Sequence, residues 1–107
     1  MDLVDKINAF SRLGNKIETL SSDEKKNIQE RAVSLNPWFV AGSIELSLTG
    51  IAHFLKEENL LSWVSSYELS QEPKKKVGIA MAGNIPLVGF HDYLSVLISG
   101  HQAVIKL

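Results

Sequence analysis

Cysteine is absent from this chain of 107 residues. Disulfides are excluded with it, as are thiolate metal sites and any cysteine nucleophile supplied by these residues. An excess of charge of either sign is also missing: 11 basic and 12 acidic residues are mixed along the sequence, for a formal net charge of −1. That balance gives no field to attract nucleic acid or an anionic membrane surface, so neither is expected as a partner. Long apolar runs are lacking too. The most apolar stretch, residues 77–90, is interrupted by Gly78, Gly83, Asn84, Pro86 and Gly89. It is shorter than the ~18–20 residues that a membrane span requires. The opening Met1-Asp2-Leu3-Val4-Asp5-Lys6 is amphipathic and acidic, unlike a signal peptide. A cytoplasmic protein is expected. His53, His91 and His101 are too far apart in sequence for a helical zinc pair, and no metal site is expected. The glycines form neither a G-x-G-x-x-G fingerprint nor a P-loop.

What remains divides into two textures. Residues 1–72 carry helical periodicity with charged faces, and residues 73–107 are apolar and punctuated by glycine. Leu3, Ile7, Phe10 and Leu13 recur at three- and four-residue spacing and predict a first helix, with Gly14-Asn15 as its stop. Ser21-Ser22-Asp23-Glu24 has the form of a capping box and predicts a second helix to about Ser34, ended by Asn36-Pro37. Ser43 is a candidate cap for a third helix whose stripe is Ile44, Leu48, Ile51 and Leu55. Asn59 is a candidate cap for a short fourth helix carrying Leu60, Leu61, Trp63 and Val64. Stripes at this spacing are core faces.

After Lys74-Lys75-Lys76 the period changes. Residues 77–82 form a short apolar run of the kind found in a parallel strand buried on both faces. The turn Gly83-Asn84-Ile85-Pro86 follows, with Pro86 suited to the first turn of a helix over residues 87–99 and Gly100 as its stop. Residues 103–107 begin a second strand, completing a βαβ unit. Val77, Ile79, Leu94, Leu97, Val104 and Ile105 are the expected core of this half.

The chemistry-bearing position is the turn. Ligands of α/β sheets bind at the carboxyl ends of strands, where a helix start offers unpaired amides. Gly83 permits close approach of a ligand to the backbone. Asn84 is either a neutral amide donor for an oxyanion or simply a helix cap. His91-Asp92 resembles a base with an orienting carboxylate, but adjacent helical positions point about 100° apart, which argues against that pairing.

The run Lys76-Val77-Gly78-Ile79-Ala80-Met81-Ala82-Gly83-Asn84-Ile85-Pro86-Leu87-Val88-Gly89-Phe90-His91-Asp92, continuing through Ser99-Gly100-His101-Gln102-Ala103-Val104-Ile105-Lys106-Leu107, resembles the LuxC-type acyl-CoA reductases of the aldehyde dehydrogenase superfamily. Asn36-Pro37-Trp38-Phe39 and Leu60-Leu61-Ser62-Trp63 resemble the helical lead-in of that family, and the first 35 residues show only a compatible helical pattern.

The resemblance implies an α/β fold: amino-terminal helices over residues 1–72, then the first βαβ unit of an aldehyde-dehydrogenase-like nucleotide-binding domain over residues 73–107. It implies reduction of a fatty acyl-CoA to an aldehyde with NADPH, through an acyl-cysteine thioester. Asn84 would donate to the oxyanion as the catalytic residue. Ala82, Gly83, Ile85 and Pro86 would lie beside the nicotinamide. Lys106 would contact the adenosine ribose or its 2′-phosphate, so NADPH over NADH rests on the family. The chain contains no cysteine and stops within its second strand. It is therefore expected to be an inactive amino-terminal fragment of an enzyme, with weak or absent cofactor binding by itself. An exposed sheet edge or helical face invites a second copy, and a homo-oligomer is expected. Two other functions fit the same residues: a non-enzymatic helical interaction module, or a superfamily member with a different acyl or aldehyde substrate.

Overall fold

A computed structural model describes residues 2–36, 39–67, 74–81 and 87–106. Along the described residues run α1 (Leu3–Glu18), α2 (Ser22–Leu35), α3 (Ala41–Phe54), α4 (Glu57–Val64), β1 (Lys76–Ala80), α5 (Phe90–Ile98) and β2 (Gln102–Lys106). Asp2 starts α1 by accepting a hydrogen bond from the Asp5 amide at 2.8 Å. Ser21 does the same for α2, accepting from the Glu24 amide at 3.1 Å, as the capping-box pattern predicts.

Gly14 corrects one expectation. It does not stop α1, which continues to Glu18. Gly14 instead falls on the inward stripe with Leu3, Ile7 and Phe10, while Leu13 turns outward. A Cβ at Gly14 would lie 2.8 Å from the Leu55 Cβ and 3.4 Å from the Ala52 carbonyl oxygen. The residue is selected for the close approach of α1 to the end of α3, not for a left-handed turn. Gly14→Ala tests this. At an open helical site the change would stabilise by about 1 kcal/mol. Here the new methyl is well inside the ~3.5–4.0 Å optimum for carbon pairs, against a fully buried neighbour with no room to retreat. Chemical denaturation should show a net loss of about 1 kcal/mol. A gain would mean that α1 and α3 separate freely.

Neither Ser43 nor Asn59 caps a helix. α3 begins at Ala41 with Val40 in the cap position, so Ser43 lies inside the first turn. α4 begins at Glu57 behind Lys56. Asn59 is used differently: its Nδ2 donates to the His53 carbonyl at 2.7 Å, at the end of α3, where the Lys56 amide also donates at 3.3 Å. That bond fixes the reversal through Leu55 and Lys56 between the two helices.

The main core is formed by Ile7, Leu55, Leu60, Leu94 and Ile98, with Leu3, Phe10, Ile51, Phe54, Trp63, Val64 and Phe90 packed around it. It draws on α1, α4, α5 and the residue that ends α3, so α5 is seated directly on the amino-terminal helices. A polar tie reinforces this: the Lys6 ammonium donates to the Leu97 carbonyl at 2.7 Å, a cation at the carboxyl end of α5.

β1 and β2 pair in parallel, with Val77 opposite Ala103 and Ile79 opposite Ile105, and α5 connects them. The chain leaves α5 through Gly100, in the left-handed region at φ 96°. The His101 amide reaches the Val96 carbonyl and the Gly100 amide reaches Leu97, the paired bonds of a Schellman stop. Burial in the sheet is less than the sequence predicts. Ile79 and Leu94 are buried and Val77 and Leu97 partly so, but Val104 is 51% exposed and Ile105 43%. The physical reason is strand number: with two strands, each is an edge, and among the described residues α5 covers the sheet from one side. The fold is therefore mixed α/β, mostly helical, with one small parallel sheet.

Candidate functional site

The carboxyl ends of β1 and β2 meet where the parallel ladder closes. Ala80 pairs with Lys106, and one residue further the Met81 amide donates to the Lys106 carbonyl at 2.9 Å. Lys106 is exposed there, with its backbone committed to the ladder and its side chain accessible. Ala82, Gly83, Asn84, Ile85 and Pro86 lie outside the described residues. Of the positions expected to carry function, the structure describes Lys106 alone.

Beyond that segment the geometry departs from the predicted helix start. Residues 87–89 form a turn, and α5 begins only at Phe90. Leu87 has φ 58°, a left-handed conformation incompatible with helix and costly for a side chain branched beyond Cβ. The cap position of α5 is held by Gly89, five residues beyond Asn84, with no side-chain hydrogen bond. Gly89 is buried, and a Cβ there would meet the Met81 side chain at 2.5–2.9 Å. This contact brings the start of α5 against the end of β1.

Beside the turn is a largely apolar groove of about 270 Å³ between α3 and the start of α5. Leu46, Gly50 and Ile51 form one wall, and Leu87, Val88 and Phe90 the other. His91 reaches its rim, and its ring meets Phe54 edge-on at 5.2 Å and Trp63 at a tilt at 5.7 Å. Asp92 instead lines the opposite opening, between α5 and β1, with Val77, Ile79 and Val96. The two neighbours therefore serve different surfaces, as helical geometry requires, and His91 is held by aromatic packing.

Two positioning contacts had no signal in the sequence. His101 Nδ1 accepts a hydrogen bond from the Lys75 amide at 3.1 Å, and the Gln102 amide donates to the Lys75 carbonyl at 2.8 Å. Together they clamp the amino end of β1 to the start of β2. The Lys6 bond to Leu97 is equally invisible, because 91 residues separate the partners. His53 is exposed on the rim of a separate cleft, where Glu18, Lys25, Glu45 and Lys56 also lie. Among the described residues no cluster of three histidine or acidic side chains is placed to hold a metal. None of the described helices is long and apolar enough to cross a membrane.

The fold and this edge define a small α/β protein with a strand–helix–strand unit. Comparison with protein families, with curated proteins and with solved structures finds no match to the chain.

Proposed function

We propose that the chain is the amino-terminal part of an NADPH-dependent acyl-CoA reductase of the LuxC type, inactive by itself, in which residues 82–86 join β1 to α5 beside the reacting thioester. The observation that supports this is the parallel β1–α5–β2 unit, since in chain order Asn84 falls between the carboxyl end of β1 and the start of α5. That edge is where α/β folds bind their ligands. The apolar groove along residues 87–91 adds support, since a fatty acyl chain requires such a surface close to the turn.

In this scheme a cysteine outside these residues attacks the acyl-CoA carbonyl, and coenzyme A leaves as its thiolate. The Asn84 amide donates to the oxyanion of each tetrahedral species, offering a hydrogen bond without giving up a proton. NADPH, when bound, supplies the hydride that converts the acyl-cysteine to aldehyde and frees the thiolate. The exposure of Lys106 at the end of β2 supports the part proposed for it, since a ribose or 2′-phosphate would take a hydrogen bond from an accessible ammonium.

The test is an assay of the full-length protein for acyl-CoA-dependent oxidation of NADPH. Turnover with a fatty acyl-CoA is expected. Lys106→Ala should raise the KM for NADPH by about three- to tenfold with little change in kcat, the loss of one exposed charge-assisted bond. A full-length protein without a cysteine, or without turnover, would leave the second proposal, a helical interaction module. Leu35 at 82% exposure and Leu46 at 76% favour that alternative.

A further inference from the structure

We propose that α2 is a hinged flap, which lifts off α3 in the native protein while the remainder of the fold stays intact. Each of the other described helices contributes at least one buried residue: Ile7 in α1, Ile44 and Ala52 in α3, Leu60 in α4, Leu94 and Ile98 in α5. α2 contributes none across its 14 residues. It packs against α3 and against no other described element, although α1 directly precedes it. Its larger apolar side chains stay accessible, with Ile28 40% exposed, Val33 39% and Leu35 82%.

The space beneath it is also poorly filled. A cleft of about 340 Å³ opens beside the contact of α2 with α3, with Lys25 and Gln29 on the flap side and Ile17, Leu48, Thr49 and Ala52 opposite. Side chains across such a gap forfeit most of their dispersion contacts. The Ser21 cap is local to the start of the helix, and within α2 the partly buried residues are Lys25, Gln29 and Ala32. A 14-residue helix is marginal in water once released, so lifting and unfolding of α2 coincide. No member of the core cluster lies on α2, and opening therefore leaves that core unchanged. What opening changes is access: the apolar floor of the cleft, Ile17, Leu48 and Ala52, becomes exposed. The flap thus acts as a gate on the α3 face remote from the sheet.

Hydrogen exchange on the full chain under native conditions tests this. Amides in the second half of α2 should exchange about tenfold faster than those of α1 and about 10²-fold faster than those of α5, as one and two fewer buried side chains require. Their exchange should depend only weakly on added denaturant, since little surface is uncovered. Equal protection in α2 and α5, lost with the same denaturant slope, would overturn the proposal. Ile98→Val, in the core cluster on α5, provides a second measurement. It weakens a core shared by the closed and open forms, so it should speed exchange in α5 by about two- to tenfold and leave exchange in α2 unchanged. An equal acceleration in α2 would show that α2 unfolds with the core, and the flap would be ruled out.

Discussion

Replacing Leu94 with alanine is expected to remove about 2–5 kcal/mol of stability, the range for emptying a fully buried leucine site. Leu94 is wholly buried and lies in the one cluster shared by α1, α4 and α5. The loss has two parts: the transfer free energy of the missing methylenes, and the cavity left among Ile7, Leu55, Leu60 and Ile98. Those neighbours belong to different helices and cannot all close on the gap at once. A domain of this size has roughly 5–15 kcal/mol in hand, so the variant loses a large fraction of it. At ~4–8 °C per kcal/mol, thermal unfolding should come roughly 10–20 °C earlier or more. Leu46→Ala is the control, because Leu46 is 76% exposed and its truncation should cost less than about 0.5 kcal/mol. The spectroscopic signals of helices and sheet should fall together in Leu94→Ala, since α5 joins them. Similar midpoints for the two variants would mean that α5 is not seated on the amino-terminal helices as described.

Much of this arrangement was legible from residue pattern, and the exceptions have physical causes. Ser21 with Glu24 marked the start of α2 because a capping box is a local device, complete within four residues. Gly100 marked the end of α5 for the same reason. The stripe of Ile44, Leu48, Ile51 and Leu55 followed from spacing. Gly14 misled because glycine has two uses, left-handed turns and close packing, and only the position of Leu55 in space decides between them. Ser43 and Asn59 misled because each is a good cap placed three residues too late, inside helices whose starts use Val40 and Lys56. Val104 and Ile105 belong to a strand expected to lie under the helices, yet burial depends on what covers a strand, and in the described sheet each strand is an edge. At the candidate site, the parallel pairing was readable, whereas the left-handed Leu87 and the late start of α5 were not. A leucine carries no mark of positive φ; the contact of Gly89 with Met81 lies against the start of that helix.

Asn84→Ala in the full-length enzyme of the proposal should lower kcat by about 10²–10³-fold, the usual loss for one oxyanion donor. The hydrogen bond strengthens as the carbonyl oxygen acquires charge, so its removal acts on the transition state and leaves ground-state binding almost unchanged. The KM for acyl-CoA and for NADPH should therefore stay within a few-fold, and kcat/KM should fall with kcat. Asn84→Asp is the sharper variant. It keeps the size of the side chain but places a carboxylate where negative charge develops, and it should be at least as damaging as alanine despite being the smaller steric change. A structural role for Asn84 makes the opposite forecast. Loss of a cap costs about 0.5–2 kcal/mol of stability, Asp substitutes well for Asn in that position, and turnover by the folded enzyme is unaffected. Parallel measurement of kcat and thermal midpoint for the two variants therefore separates the roles. A collapsed kcat with an unchanged midpoint supports the oxyanion donor, and an unchanged kcat with a lowered midpoint in Asn84→Ala alone identifies a cap and removes the chemical basis of the reductase proposal.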